Sequence, residues 1–535
     1  MTEEVVLTAI RALFPVLTAL TSLVLVPLIQ LWRGSQRDDA ATYATLGVQL
    51  LLLGTSVGAA LAGAGYLSTL TIGQITIDPS EPGRLLVLLG GIVFAVIVGA
   101  GEGRRAGTMG QIALFGIAAI DLALAIPSGI APIALLLFAS LGISGAAASG
   151  KDDVGRARAV FRDLRTVSLL LPAVVIAEIL RTAISYAAVD ASYATPASLA
   201  AGTALGVSIV LIVAAGVFPF HGRLIKIFEA LPIVGSLLVG VWIPSALALI
   251  VMSELSALSS SITDPLGGAI VPGILLAGAA TLVFGAISAL LHDDIGEIVG
   301  FIAVGNAGWL ALAAAAALQS PTDTSSRLIV LPGMLTTSLF GLWLVSVRRR
   351  YGTTSISELG GWARRTGANG IALVAAIVAL AALPPGVVLA ARLNLLLLGG
   401  NPLIALFAVI GQVMLVVAAA RLLLIGITPQ SQTVHEAETR PFANIITFSL
   451  VAGSLFVAAA AAGWLALESG GTGPLPPAPS VSPGTSFDPA PSSEPSVEPT
   501  PSVVPTPSVT ASPEVSPEVS PSVSPSGSGE ISPTP

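Results

Sequence analysis

The side chains that could do chemistry in this sequence are a few ionisable residues that lie inside long apolar stretches. They are Asp121, Glu178, Arg181 and Arg392, with Glu254 and Asp294 near the ends of such stretches. Burying an ionisable group in lipid is costly, so residues of this kind mark ion or proton pathways by default. Asp121, Glu178 and Arg392 are therefore candidates for a transport path.

Two of these positions have more than one interpretation. Glu178 and Arg181 are three residues apart, which places both on one face of a helix, and a structural ion pair is the simpler interpretation there. Asp121 has no obvious partner in the sequence. It could be protonated, paired with another helix, or facing a hydrated cavity.

The apolar stretches are interrupted at two places, and each interruption would position ionisable side chains inside the membrane. Pro219 arrives with His221 where a hydrophobic helix would otherwise continue, and Pro384 and Pro385 precede Arg392 by about two helical turns. Proline ends or kinks a helix, and freed backbone groups at membrane depth need protein or water to cover them. Paired interruptions are typical of transporter repeats, so His221 joins Arg392 as a path candidate. Alternatively, each interruption is a kinked helix or a loop boundary.

The types of charge available limit the chemistry. Arginine keeps its proton at physiological pH, whereas a buried lysine can release one. The chain has two lysines, Lys151 and Lys226, and both are predicted in loops, which excludes a lysine-based proton relay through the membrane. With no cysteine and three scattered histidines, we identify no catalytic residue, no cofactor or metal site and no redox centre.

Composition places most of the chain in a lipid bilayer. Of 535 residues, 54% are hydrophobic and 10% are charged, against about 25% charged in an average soluble domain. Several apolar runs exceed the roughly 20 residues that cross a bilayer. The sequence predicts an all-α polytopic membrane protein with about fourteen transmembrane helices, two of them discontinuous. The predicted spans are 6–31, 42–66, 85–101, 108–127, 130–148, 166–188, 198–219, 232–254, 267–291, 295–318, 328–347, 367–395, 402–426 and 442–467.

The distribution of Lys and Arg orients these spans. Cytoplasmic loops are enriched in both residues, and most of the 23 bases fall in alternate loops that become cytoplasmic when the N-terminus is outside. An even number of spans then leaves both termini extracytoplasmic in a cell-membrane protein. Nothing in the composition suggests a nucleic-acid partner.

The C-terminal part has a different composition. From Glu468 onwards it is rich in Ser, Pro, Thr, Val and Glu, and it contains acids but no base, which accounts for the net charge of −7. Such a segment cannot bury a core. The sequence therefore predicts a transmembrane domain, 1–467, and a disordered, extracytoplasmic Ser/Pro-rich tail, 468–535.

Three segments carry a family resemblance that covers roughly residues 85–467. Pro219–Pro232 resembles the motif PFHxWxPDxYxGAP, Asp294–Trp309 resembles DLKRLLAYSSIAHxGY, and Ser355–Arg392 is similar to DLxGL followed by GxPPLAGFxxKF. By these segments the chain resembles the antiporter-like membrane subunits of respiratory complex I (NADH-quinone oxidoreductase), such as subunit N. It is also similar to the related subunits of multi-subunit cation/proton antiporters.

The chain departs from that family where the resemblance places the proton-path residues. Arg223 stands at the tryptophan of the first motif, Pro244 near the lysine of the eighth helix, and Arg392 at the relay lysine. The acid of the fifth helix is missing from Ile133–Gly145. The resemblance therefore implies a member that keeps the scaffold and the two broken helices but has lost the glutamate–lysine couple.

The resemblance implies an integral, non-catalytic membrane subunit that sits beside other membrane subunits in a complex-I-like or antiporter assembly. Redox-coupled or cation-coupled proton translocation is the implied activity of that assembly, and we hypothesise a reduced or absent proton path in this chain. One alternative is a stand-alone secondary transporter for another ion or solute. Another is an envelope protein whose Ser/Pro tail is the working part.

Overall fold

The architecture is a bundle of long apolar helices. The computed structural model describes residues 3–32, 37–62, 70–72, 75–77, 81–101, 106–126, 129–148, 154–187, 196–262, 265–321, 325–365, 367–383 and 386–428. The helices are α1 (Glu3–Trp32), α2 (Arg37–Ala62), α3 (Glu81–Gly101), α4 (Ala106–Ala125), α5 (Ile130–Ala148), α6 (Val154–Ala187), α7 (Pro196–Ala215), α8 (Gly222–Ala230), α9 (Ile233–Leu237), α10 (Ile243–Leu258), α11 (Pro265–Leu291), α12 (Ile295–Gln319), α13 (Ser325–Leu328), α14 (Val330–Tyr351), α15 (Trp362–Arg365), α16 (Gly367–Leu380), α17 (Val387–Leu398) and α18 (Pro402–Ile427).

The one departure from helix among the described residues is a short hairpin. Strands β1 (Leu70–Ile72) and β2 (Ile75–Ile77) pair antiparallel, with Leu70 opposite Ile77 and Ile72 opposite Ile75. The hairpin lies between α2 and α3. An all-α class remains the correct description of the fold.

The predicted polytopic membrane architecture is confirmed. Nine helices in the described parts of the chain are long and apolar enough to cross a bilayer, and five shorter apolar helical stretches accompany them. The count of fourteen is not tested by these helices, because the predicted span 442–467 lies outside the described residues. The Ser/Pro-rich segment 468–535 lies outside them as well.

The interior of the bundle is built by α10, α12 and α14. The most apolar part of α12 is buried over its full length, whereas α6 and α18 bury only 22% and 28% of theirs. Helices α11 and α12 approach most closely at two glycines. A Cβ on Gly278 would lie 2.9 Å from the carbonyl oxygen of Gly308, so neither position has room for a side chain.

The two predicted discontinuous helices are present. Helix α7 ends at Ala215, and the chain passes through an irregular segment before α8 begins at Gly222. Helix α16 ends at Leu380 and α17 begins at Val387, with Pro384 and Pro385 in between and outside the described residues. A π-helical turn, Leu238–Trp242, joins α9 to α10, whose second residue is Pro244.

Candidate functional site

The first interruption is shaped by a glycine and by a hydrogen bond from another helix. Gly216 has a φ of +71°, a left-handed conformation that glycine adopts without strain and that turns the chain away from α7. The backbone N–H of Phe218 donates to Oγ1 of Thr281 on α11 at 2.9 Å, and the Phe218–Pro219 peptide bond is cis. The chain then enters α8, which is amphipathic: it buries Leu224 and Phe228 and exposes Lys226.

Arg223, in the first turn of α8, makes a buried ion pair with Asp163 of α6. Its Nε–H donates to Oδ1 of Asp163 at 2.7 Å, and its Nη2 contacts the same carboxylate. Its Nη1–H donates to the carbonyl oxygen of Ala214 at 2.6 Å. Arg223 therefore binds a carbonyl in the last turn of α7, across the interruption that separates the two helices.

The carboxylate of this pair is fully enclosed. Asp163 has 0% of its surface exposed, and its second oxygen accepts a hydrogen bond of 2.5 Å from Ser144 of α5. Ser140, one turn earlier on α5, lies 3.3 Å from Nη2 of Arg223. Ser144 and Arg223 thus satisfy the acid, and Ser140 accepts from the arginine, so that α5, α6, α7 and α8 meet at one charge pair.

The second interruption is also bridged by an arginine. Nη1–H of Arg392, on α17, donates to the carbonyl oxygen of Leu380, the last residue of α16, at 3.0 Å. Gln412 of α18 donates to the same oxygen at 2.7 Å and accepts from the indole N–H of Trp309 at 2.8 Å. The guanidinium carbon of Arg392 lies 5.0 Å from the centre of the Trp309 ring, a cation–π distance.

Arg392 differs from Arg223 in its charge balance. It is 7% exposed, and its Nε–H has no acceptor among the described residues. None of its contacts in that part of the chain is with a carboxylate. The second interruption therefore holds a buried positive charge that a carbonyl dipole and an aromatic face stabilise.

Both interruptions have the same local chemistry. The C-terminal end of a helix carries partial negative charge on its unpaired carbonyls, and in transporters such half-helix ends coordinate cations. Here the carbonyls of Ala214 and Leu380 accept hydrogen bonds from Arg223 and Arg392. Since arginine stays protonated at any physiological pH, each half-helix end holds a fixed cation of this chain.

His221 lies immediately before α8, beside the first interruption. Its ring is 4.1 Å from the Phe284 ring and stacks on Phe218 at 5.8 Å. Its Nδ1 is buried without a partner among the described residues. Partial burial lowers the pKa of His221 below its usual value, which favours the neutral ring.

The other predicted residues lie elsewhere in the bundle. Glu178 and Arg181 form the ion pair that their spacing suggests, at 2.7 Å. They line a pocket together with Thr203 and Glu254, and Glu254 accepts a hydrogen bond from the N–H of Gly129 at 3.2 Å. Asp121 of α4 interacts electrostatically with Arg84 of α3. Among the described residues, the four path candidates do not contact one another: Asp121, Glu178, His221 and Arg392.

The position of the missing eighth-helix lysine is apolar. Pro244 follows the π-helical turn, and Trp242 before it is fully buried, with its indole N–H donating to Ser338 of α14 at 3.0 Å. In the part of the chain that the structure describes, no group of three or more His, Asp or Glu side chains could hold a metal ion.

The fold is shared with membrane subunits of known assemblies. Residues 167–418 match the family model for the transmembrane region of NADH:quinone oxidoreductase and Mrp antiporters. A chain of the membrane-bound sulfane sulfur reductase (MBS), an archaeal respiratory membrane complex, is 14% identical, with a TM-score of 0.69 over 87% of this chain and 97% of that one. A chain of the Mrp complex from Dietzia sp. DQ12-45-1b is 17% identical, with a TM-score of 0.61 over 86% and 96%.

Respiratory complex I is similar to the same extent. A chain of the Thermus thermophilus complex with bound NADH is 15% identical, with a TM-score of 0.62 over 85% of this chain and 99% of that one. No curated protein sequence matches the chain. The family match and the shared fold together confirm the resemblance that the three motifs indicate. Residues 167–418 match the transmembrane family of NADH:quinone oxidoreductase and Mrp antiporters, and the chain is a multi-pass membrane protein that shares the fold of membrane subunits of complex I and of Mrp antiporters.

Proposed function

We propose that this chain is a structural membrane subunit of a complex-I-like or Mrp-like assembly in the cell membrane. The three solved structures described above are subunits of multi-subunit membrane complexes, which supports other membrane subunits as partners of this chain. Residues 1–467 form its membrane domain and 468–535 its tail, with both termini extracytoplasmic.

We further propose that the chain has no proton path of its own. The observation that carries this is the arginine at each helix interruption: Arg223 and Arg392 bind the half-helix carbonyls of Ala214 and Leu380. A proton relay needs a group that gains and loses a proton near neutral pH, and arginine does not do so. The chain contributes a scaffold, a buried Arg223–Asp163 pair and one fixed positive charge, on Arg392, to proton or cation translocation by the assembly.

The assembly is tested by a mild-detergent pull-down of the tagged chain from its native membrane, followed by mass spectrometry. We expect other membrane subunits of the same superfamily to copurify in a fixed ratio. Recovery of the chain alone would support a stand-alone transporter, which no feature of the described residues favours over the subunit.

The missing proton path is tested separately, in liposomes that contain the purified chain. We expect proton flux equal to that of empty liposomes under an imposed pH gradient and membrane potential. Flux above this background that Asp121→Asn or Glu178→Gln abolishes would overturn the proposal, because it would place a working relay on these acids. Variants of His221 and Arg392 in the same assay test the remaining path candidates.

A further inference from the structure

Helix α6 has one face that no other described element covers. Asp163, Val167, Leu170 and Val174 recur at helical spacing and are buried against the bundle. On the opposite face Phe161, Leu169 and Ile176 are 66%, 67% and 55% exposed. A side chain of this kind is exposed to lipid or to a partner when the helix lies in a membrane.

The N-terminal end of the same face is basic. Arg158, Arg162 and Arg165 are exposed and follow one another at spacings of four and three residues, so they form a stripe on one side of α6 over about 10 Å. Leu169, Pro172 and Ile176 continue that stripe towards the other end of the helix. None of the three arginines has a hydrogen bond or ion pair from its side chain to another described residue.

The side chains on this face distinguish between lipid and a partner helix. Helices that associate in a membrane do so through small residues that let their backbones approach, as Gly278 and Gly308 do between α11 and α12. The exposed stripe of α6 carries Leu169, Pro172 and Ile176 instead. On this face the arginines lie towards the N-terminal end of α6 and the bulky apolar side chains follow them along the helix. A phospholipid has the same order, with a phosphate headgroup at the membrane surface and an acyl chain deeper in the bilayer.

We propose that the α6 stripe, defined by Arg158, Arg162, Arg165, Leu169 and Ile176, is a binding site for anionic phospholipid. The three guanidiniums bind the headgroup phosphates, because arginine forms paired, charge-assisted hydrogen bonds with phosphate oxygens. The apolar residues above them contact the acyl chains. The buried face of the same helix carries Asp163, so α6 connects the lipid headgroup region to the ion pair with Arg223.

The site is tested by native mass spectrometry of the delipidated full chain, titrated with phosphatidylglycerol and, in parallel, with phosphatidylcholine. Each arginine near a headgroup contributes a factor of about five in affinity. We expect the wild type to bind phosphatidylglycerol at least tenfold more tightly than phosphatidylcholine. The triple variant Arg158→Gln, Arg162→Gln, Arg165→Gln should lose this preference.

A matched triple variant controls for total charge. Lys226→Gln, Arg349→Gln and Arg364→Gln remove three exposed positive charges elsewhere, and we expect the preference for phosphatidylglycerol to change by less than twofold. Equal losses in the two triple variants, or no loss in the α6 variant, would overturn the proposal. Size-exclusion chromatography of each variant establishes that it is folded.

A second measurement distinguishes lipid from protein at the same face. A photo-crosslinking amino acid at Leu169, in the chain expressed in its native membrane, should form adducts with the mass of a phospholipid. An adduct with another membrane protein would overturn the assignment and identify this face as a subunit interface.

Discussion

Asp163→Asn isolates the charge in the buried pair between α6 and α8. Asparagine has nearly the same shape, keeps an oxygen for the Nε–H of Arg223, and offers an amide group to Ser144. The number of possible hydrogen bonds is therefore unchanged, while the negative charge is removed. Arg223, whose side chain is 8% exposed, then becomes a buried cation without a counter-ion.

The expected cost follows from that geometry. Removing one partner of a buried ion pair destabilises a protein by roughly 3–5 kcal/mol, because the remaining charge stays out of water. Arg223 keeps its hydrogen bond to Ala214 and its contact with Ser140, so we expect the lower end of this range. A loss of about 3 kcal/mol raises the unfolding equilibrium constant by about two orders of magnitude.

The assay is reversible unfolding in mixed micelles with increasing SDS, followed by tryptophan fluorescence. Asp293→Asn is the matched control, since Asp293 pairs with Arg421 at 2.6 Å but is 72% exposed. An exposed pair contributes about 0–1 kcal/mol. If Asp163→Asn cost no more than Asp293→Asn, the inference that a buried charge pair holds α8 against α5 and α6 would be wrong.

Three further predictions use the same unfolding measurement. Arg392→Met should stabilise the chain by about 1 kcal/mol or more because it removes a buried charge without a carboxylate partner. Arg223→Met should destabilise the chain because it leaves Asp163 unpaired. Changes of the same sign in the free energy of unfolding would contradict the contrast between the two interruptions. Gly278→Ala should cost about 1–3 kcal/mol because its Cβ meets the Gly308 carbonyl, while Gly273→Ala on the same helix, with nothing within 4 Å, should be neutral or stabilising. Burial lowers the pKa of His221 and so favours its neutral ring in the folded protein. The stability that this ring contributes is therefore present above pH 6.5 and is lost as the pH falls below that value. His221→Gln should lose less stability than the wild type between pH 7 and pH 5, and identical pH profiles would refute this.

The helical elements and their interruptions could be predicted from the sequence because their signals are local. Apolar length defines a membrane span, and the prolines at 219, 384 and 385 mark where a helix cannot continue. The Glu178–Arg181 pair could be inferred for the same reason, since both residues lie on one helix. Helix α8 carries a local signal too, in the buried positions Leu224, Ile227 and Phe228 at spacings of three and one.

The side chains that contact the two arginines could not be predicted in this way, because they come from distant parts of the chain. Asp163 lies in a run of arginines that the sequence indicates to be a cytoplasmic loop, and the structure instead places it in α6, on the buried face. Asp163 precedes the apolar residue Val167 by four positions, so the two share one face of a helix, and Val167 is buried. That spacing is the one feature of the sequence that indicates the buried face. Trp309, whose ring lies against the Arg392 guanidinium, is far from it in sequence, and a tryptophan does not indicate a cation site by itself.

The buried pair also has a consequence for the synthesis of the protein. Asp163 and Arg223 are 60 residues apart, so at about 5–20 residues per second the acid leaves the ribosome roughly 3–12 s before its partner. During that interval the Asp163 carboxylate of α6 has the hydroxyl of Ser144 within reach but not yet the guanidinium that pairs with it in the folded protein. The charge pair at which α5, α6, α7 and α8 meet can therefore form only after α8 has been synthesised, and a chain truncated before Gly222 leaves Asp163 without its arginine.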